Sequence, residues 1–172
     1  MMPTFITIIV IVAVIALWII SEQRKLVVLD ENVKNAMSQI GMQLSSRFDA
    51  LMALLDFTKG YDMYESVALI ETIKLRRSMI TANSTPDDVL RQERIISEAL
   101  GRIAMLTKQY PELEAQQTYI KTMDAVQIFE NMVRTSRLIY NNSVKKLNCE
   151  IRLFPVSFIA RMLGFHKRKY LA

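Results

Sequence analysis

From Met1 to Ser21 the chain carries no charged side chain, and Phe5 to Ile20 is apolar except for Thr7. A run of this length is close to the roughly 20 residues that cross a bilayer core as a helix, so it predicts a membrane anchor over residues 1–21. A cleaved signal peptide would need a charged leading region, a shorter apolar stretch and a small-x-small cleavage site, and Trp18-Ile19-Ile20-Ser21 supplies no such site. Trp18 lies near the end of the run, where an indole sits well at headgroup level. No side-chain cation precedes the span, whereas Arg24, Lys25 and Lys34 follow it closely, and this asymmetry predicts that the rest of the chain is cytoplasmic.

The roughly 150 residues that remain suffice for one domain with a proper core. Only 4 Gly and 4 Pro occur in 172 residues, and hydrophobic residues reach 51%, which leaves little turn chemistry and predicts an all-α fold. Leu26, Leu29, Val33, Met37, Ile40, Leu44, Phe48, Leu51 and Leu55 step by threes and fours, the stripe of a long amphipathic helix ending near Gly60. A second helix is expected through Val67, Ile70, Ile73 and Leu75 to about Ile80. Thr85-Pro86-Asp87-Asp88 is a start signal for a third, reaching about Lys108: a cap, a proline suited to the first position, and acids for the positive end of the dipole. Tyr110-Pro111-Glu112 marks the next break, and Leu113, Ile120, Met123, Val126, Val133, Val144 and Leu147 support a fourth long helix to about Cys149.

Four such helices joined by short connections predict an up-and-down four-helix bundle over residues 22–153, followed by a short basic and aromatic C-terminal helical segment over 154–172. Summing the rises returns residue 150 to the neighbourhood of the bilayer. Two readings of the last segment follow. In one it lies on the membrane, with Phe158, Ile159, Met162, Leu163 and Phe165 embedded and Arg161, Lys167, Arg168 and Lys169 facing anionic headgroups. In the other its apolar residues cap the open end of the bundle and its cations are solvated.

Signals for a reaction are scarce. The chain has a single His166, too few imidazoles for a His-ligated metal centre, and it reads as a surface residue. The single Cys149 makes no internal disulfide and is expected to be buried or half-buried. No phosphate-binding glycine loop or nucleophile elbow is present, so no catalytic residue, cofactor or metal is expected. Glu130 and Asn131, with Arg134, Arg137 and Tyr140 further along, interrupt the stripe of the fourth helix, and they are candidates for a polar network that sets helix register or lines a partner surface. Tyr140-Asn141 with Lys145-Lys146 is a poor nucleic-acid signal, and no nucleic acid is expected as a partner. The methionines read as core gap-fillers.

The chain resembles the bacterial LemA family of membrane-anchored helical proteins over nearly everything after the anchor. The likeness is carried by Val33, Ala36-Met37-Ser38-Gln39-Ile40, Gln43-Leu44 and Arg47-Phe48-Asp49, then Lys59-Gly60-Tyr61 and Glu65, Leu100-Gly101-Arg102 and Tyr110-Pro111-Glu112-Leu113. It continues through Glu130-Asn131, Arg137, Tyr140-Asn141, Asn148, Phe154-Pro155 and Gly164-Phe165. The resemblance implies a four-helix bundle on one N-terminal span, no enzymatic activity, and loosely a role in membrane organisation. The resulting expectation is a non-enzymatic single-pass protein that serves as an interaction or scaffold module, with the lipid bilayer, other proteins or further copies of itself as partners. The alternative is a membrane-tethered regulator or sensor binding a small ligand between helices, near Glu130 and Arg137. An enzyme would need Glu65, Glu130 and Arg137 gathered around one cavity.

Overall fold

In the computed structural model, which describes residues 2–61 and 63–171, the apolar run and the first amphipathic stripe form one unbroken helix, α1 (Met2–Thr58, 57 residues). Two environments divide it. Phe5 to Ile20 is exposed throughout, an apolar helix long enough to cross a membrane. From Leu26 onward the stripe turns inward, and Leu26, Val33, Met37, Ile40, Leu44, Phe48, Leu51 and Leu55 are all buried. The helix ends at Thr58, whose buried hydroxyl donates to the Leu55 carbonyl and shares a 3.0 Å hydrogen bond with Ser66. Gly60 lies in the following turn, as the end of the stripe predicts, but without the positive φ of a left-handed cap; among the described residues only Gly164 has positive φ, at 78°.

Among the described residues four further helices follow, α2 (Met63–Arg76), α3 (Pro86–Gln109), α4 (Gln117–Arg152) and α5 (Val156–Met162), with one 3-10 turn at Pro111–Leu113. No strand occurs among the described residues. The start of α3 falls where the sequence puts it. Thr85 accepts from the Asp88 N–H, the Asp88 carboxylate accepts from the Thr85 N–H, and Pro86 takes the first helical position.

The second helix stops four residues short of Ile80, because tertiary hydrogen bonds replace its last turn. The Gln92 side chain accepts from the Ser78 N–H and donates to the Arg76 carbonyl, while Arg77 reaches Asp49 and the Ser45 hydroxyl. The following backbone lies so close on α1 that a Cβ at Gly41 would stand 2.1 Å from the Ile80 carbonyl oxygen.

The longest interhelix pairing joins α1 to α4, which run antiparallel. Lys25 pairs with Glu150 at 2.6 Å and Arg47 with Glu130 at 2.8 Å, fixing register over roughly 30 Å of both helices. α2, α3 and α5 also pack on α1. At the tip remote from the apolar run, the Tyr61 ring packs against Phe57 and Tyr110, at centroid separations of 6.3 and 5.8 Å.

Candidate functional site

Two regions gather polar or apolar side chains in ways that core packing does not explain. The first is the C-terminal segment, which the α1–α4 register places beside the residues that follow the apolar run. α5 and the turn before it present two unlike faces. Val156, Ile159 and Ala160 are buried against the helices, whereas Phe154 is 89% exposed, Met162 74%, Phe158 67% and Leu153 55%. Arg152 and Arg161 are exposed beside them. Helical spacing separates the faces, since 156, 159 and 160 share one side of a turn and 158 and 162 the other.

Beyond Gly164 the chain leaves this end and climbs α4 as an extended strap. Asn148 donates to the Arg168 carbonyl and accepts its N–H, both at 2.9 Å, and Asn141 does the same with Leu171 at 2.8 and 2.9 Å. The Tyr140 hydroxyl donates to the Lys169 carbonyl, and Leu171 is buried. The Arg168 guanidinium reaches Asp30 of α1 through two nitrogens, at 2.8 and 3.2 Å, and Lys169 lies 3.8 Å from Asp87. Burial pushes the Asp30 carboxyl up, but hydrogen bonds from Arg168 and Lys34, together with their charges, outweigh it and hold the group below its ordinary 3.8. Burial raises the Tyr140 hydroxyl, with Arg168 opposing it in part. Of the nine residues that the sequence places at the membrane surface, Phe158, Arg161, Met162, Leu163 and Lys167 are exposed, Ile159 is buried in the fold, Phe165 is partly buried on the core, and Arg168 and Lys169 face acids of α1 and α3.

The second region is a cavity of about 220 Å³ where α1, α3 and α4 meet, lined by Arg47, Glu93, Ser97, Glu130, Arg134 and Arg137 with Val133 at its wall. Arg47 donates to Glu130 at 2.8 Å, and one nitrogen of Arg137 donates to both Glu93 oxygens at 3.0 and 3.1 Å. The Arg47 residue is 6% exposed, and its enclosed Nε meets no acceptor among the described residues. Glu130 and Arg137 therefore do border one cavity. Asn131 borders a separate shallow groove with Gln43 and Met132, and Tyr140 belongs to the strap. The Glu65 side chain lies outside the described residues. The sequence assigns no site role to Arg47, Glu93 and Asn148, whose polarity on buried or half-buried helix faces is the signal that marks them.

Cys149 is exposed, against the expectation of a buried or half-buried thiol: its neighbours Leu147 and Asn148 take the inward positions of that turn. His166 is exposed. The methionines divide, Met37 lying in the core while Met42, Met79, Met105, Met132 and Met162 are exposed. Among the described residues no group of three or more His, Cys, Asp or Glu side chains is placed to hold a metal ion.

Comparison with known proteins adds the following. Magnetosome protein MamQ 2 of Paramagnetospirillum magneticum is 32% identical over 72 residues, covering 42% of this chain and 26% of the relative. Magnetosome protein MamQ of Magnetospirillum gryphiswaldense is 29% identical over a stretch of the same length. Protein LemA of Metamycoplasma hominis is 22% identical over 138 residues, 80% of this chain and 63% of the relative. The chain thus spans about a quarter of the magnetosome relatives it matches. The LemA family model covers residues 36–172, which takes in the inward part of α1, both sides of the polar cavity, α5 and the strap. The chain belongs to the LemA family.

Proposed function

We propose that this protein is a single-pass membrane scaffold: α1 crosses the bilayer and carries an up-and-down bundle of α1 to α4 on the cytoplasmic side, and α5 seats that bundle in the headgroup layer. The observation that carries the reading is the exposed face of α5 and of the turn that precedes it. A row of exposed Leu153, Phe154, Phe158 and Met162 costs free energy in water, of the order of 1.5 kcal/mol or more for each large side chain, and lies at the end of the molecule from which the apolar half of α1 emerges. Exposed Arg152 and Arg161, with Arg24 and Lys25 on α1, supply cations for anionic headgroups. Membership of the LemA family and the match to magnetosome proteins support a role in membrane organisation, with other proteins or further copies of the chain as partners on the exposed helix faces.

The test uses the full chain in lipid nanodiscs, with Cys149→Ser and a single new thiol at Phe158→Cys carrying an environment-sensitive dye. A blue-shifted emission that is quenched by brominated lipid is expected, while the same dye at Arg134→Cys should report water. Water-like emission at position 158 would remove the seating of α5.

A second reading is favoured by the polar cavity, whose enclosed guanidinium and facing carboxylates resemble a ligand site more than a packing defect. In it, the bundle is a membrane-tethered regulator that binds a small ligand between helices.

A further inference from the structure

We infer that the cavity between α1, α3 and α4 is a binding site for a small soluble oxyanion, of the carboxylate or phosphate class; this rests on the second reading above and names its ligand. The charge of the lining decides the sign. Three guanidinium groups, from Arg47, Arg134 and Arg137, face two carboxylates, from Glu93 and Glu130. Both carboxylates already accept hydrogen bonds within the lining, Glu130 from Arg47 and Glu93 from Arg137, so the remaining capacity of the site is mostly donor capacity.

Two guanidinium groups keep unmet donors, the Nε of Arg47 walled off from the cavity space and the fork of Arg134 open to it. The Nε of Arg47 is enclosed in a residue only 6% exposed, and an unmet donor of this kind is rare inside folded proteins and costly to bury. Arg134 is exposed at the cavity mouth and takes part in no ion pair among the described residues, so its planar fork is available to a ligand. A guanidinium fork matches the oxygens of carboxylates and phosphates. A cation would meet three guanidinium groups against two carboxylates that are already paired with them.

Size and position narrow the class. A volume of about 220 Å³ is that of roughly seven water molecules, enough for phosphate or a short dicarboxylate and below the usual range of sites for larger organic ligands. Arg47 lies roughly 40 Å along α1 from the end of the apolar run, beyond the reach of headgroups in the bilayer that the run crosses. The anion is therefore a soluble one.

The experiment follows thermal unfolding and calorimetric titration of the full chain in nanodiscs of zwitterionic lipid, with inorganic phosphate, succinate or 1,4-diaminobutane added at ionic strength held constant with sodium chloride. A saturable rise in Tm with phosphate or succinate is expected, weakened about tenfold by Arg134→Gln and unaffected by Arg102→Gln, a substitution at an exposed cation outside the cavity. An equal response in Arg134→Gln overturns the site. Stabilisation in discs of anionic lipid without added anion, abolished by Arg134→Gln, would assign the cavity to headgroups and overturn the soluble ligand. A saturable response to the diamine alone would overturn the anion and leave a ligand-binding bundle. No response to any of the three would remove both.

Discussion

A methyl group at position 41 would press into the Ile80 carbonyl oxygen, 2.1 Å from the ideal Cβ, with the Ile80 carbonyl carbon at 3.0 Å. These are backbone atoms, which cannot rotate aside as a side chain can. We expect Gly41→Ala to lower stability by about 1–2 kcal/mol even though alanine is the better helix former by up to about 1 kcal/mol, because the segment between α2 and α3 must lift off α1 to make room. Helix melting of the full chain in detergent, followed by circular dichroism, measures it; an unchanged or higher midpoint would show that the segment does not rest there. In the sequence this glycine is an ordinary weak point of an amphipathic stripe, because its reason lies in another element. Arg47 is hidden for the same reason: one arginine beside a stripe reads as solvated, and only the packing of α3 and α4 encloses it. Leu75 fails in the opposite sense, counted among the apolar positions of the second helix yet 87% exposed.

At the scale of elements, the strap shows how an irregular segment is held on a helix. Asn141 and Asn148 are two turns apart on α4, about 10.5 Å, and an extended chain covers nearly the same distance between residues 168 and 171. Each amide therefore pairs with the backbone of one strap residue as a neighbouring strand would. We expect Asn141→Ala with Asn148→Ala to abolish hydrogen-exchange protection of the Arg168 and Leu171 amides while α4 keeps its own, each lost pair costing about 1–2 kcal/mol. Retained protection would mean that Asp30 and the burial of Leu171 suffice. The Asp30 link carries a pH dependence of definite sign. Its folded pKa lies below the ordinary 3.8, so its contribution is complete above that value and is lost as the pH falls through the lower folded value. Strap protection should weaken below about pH 4, and Asp30→Asn should remove that dependence. The start of α3 was legible because all its determinants, Thr85, Pro86 and Asp88, are adjacent in the chain. The path through residues 77–80 and the strap were not, since they lack hydrophobic periodicity and are fixed by side chains from distant helices.

For the whole molecule, the continuity of α1 makes its exposed apolar part and the helices packed on its inward stripe one mechanical object. No break separates the exposed apolar part from the buried stripe, so any tilt of the apolar part is a tilt of the helices packed on the stripe. From Ile20 to Thr58 the helix rises roughly 57 Å, and the rings of Phe57, Tyr61 and Tyr110 close the far tip. A spin label at Lys59→Cys, with Cys149→Ser, should therefore show a narrow distance distribution centred roughly 55 Å from paramagnetic headgroups in nanodiscs. Inserting three glycines between Ser21 and Glu22 should broaden and shorten that distribution while leaving the thermal unfolding of the bundle nearly unchanged, because the buried stripe begins only at Leu26. If α5 is seated in the headgroup layer, the broadening should be modest in the inserted protein and become large only when Phe154 and Phe158 are also changed to serine, since two attachments then reduce to one. A distribution that is already broad in the unaltered chain would mean that α1 bends at the membrane and that the bundle is tethered, not held upright.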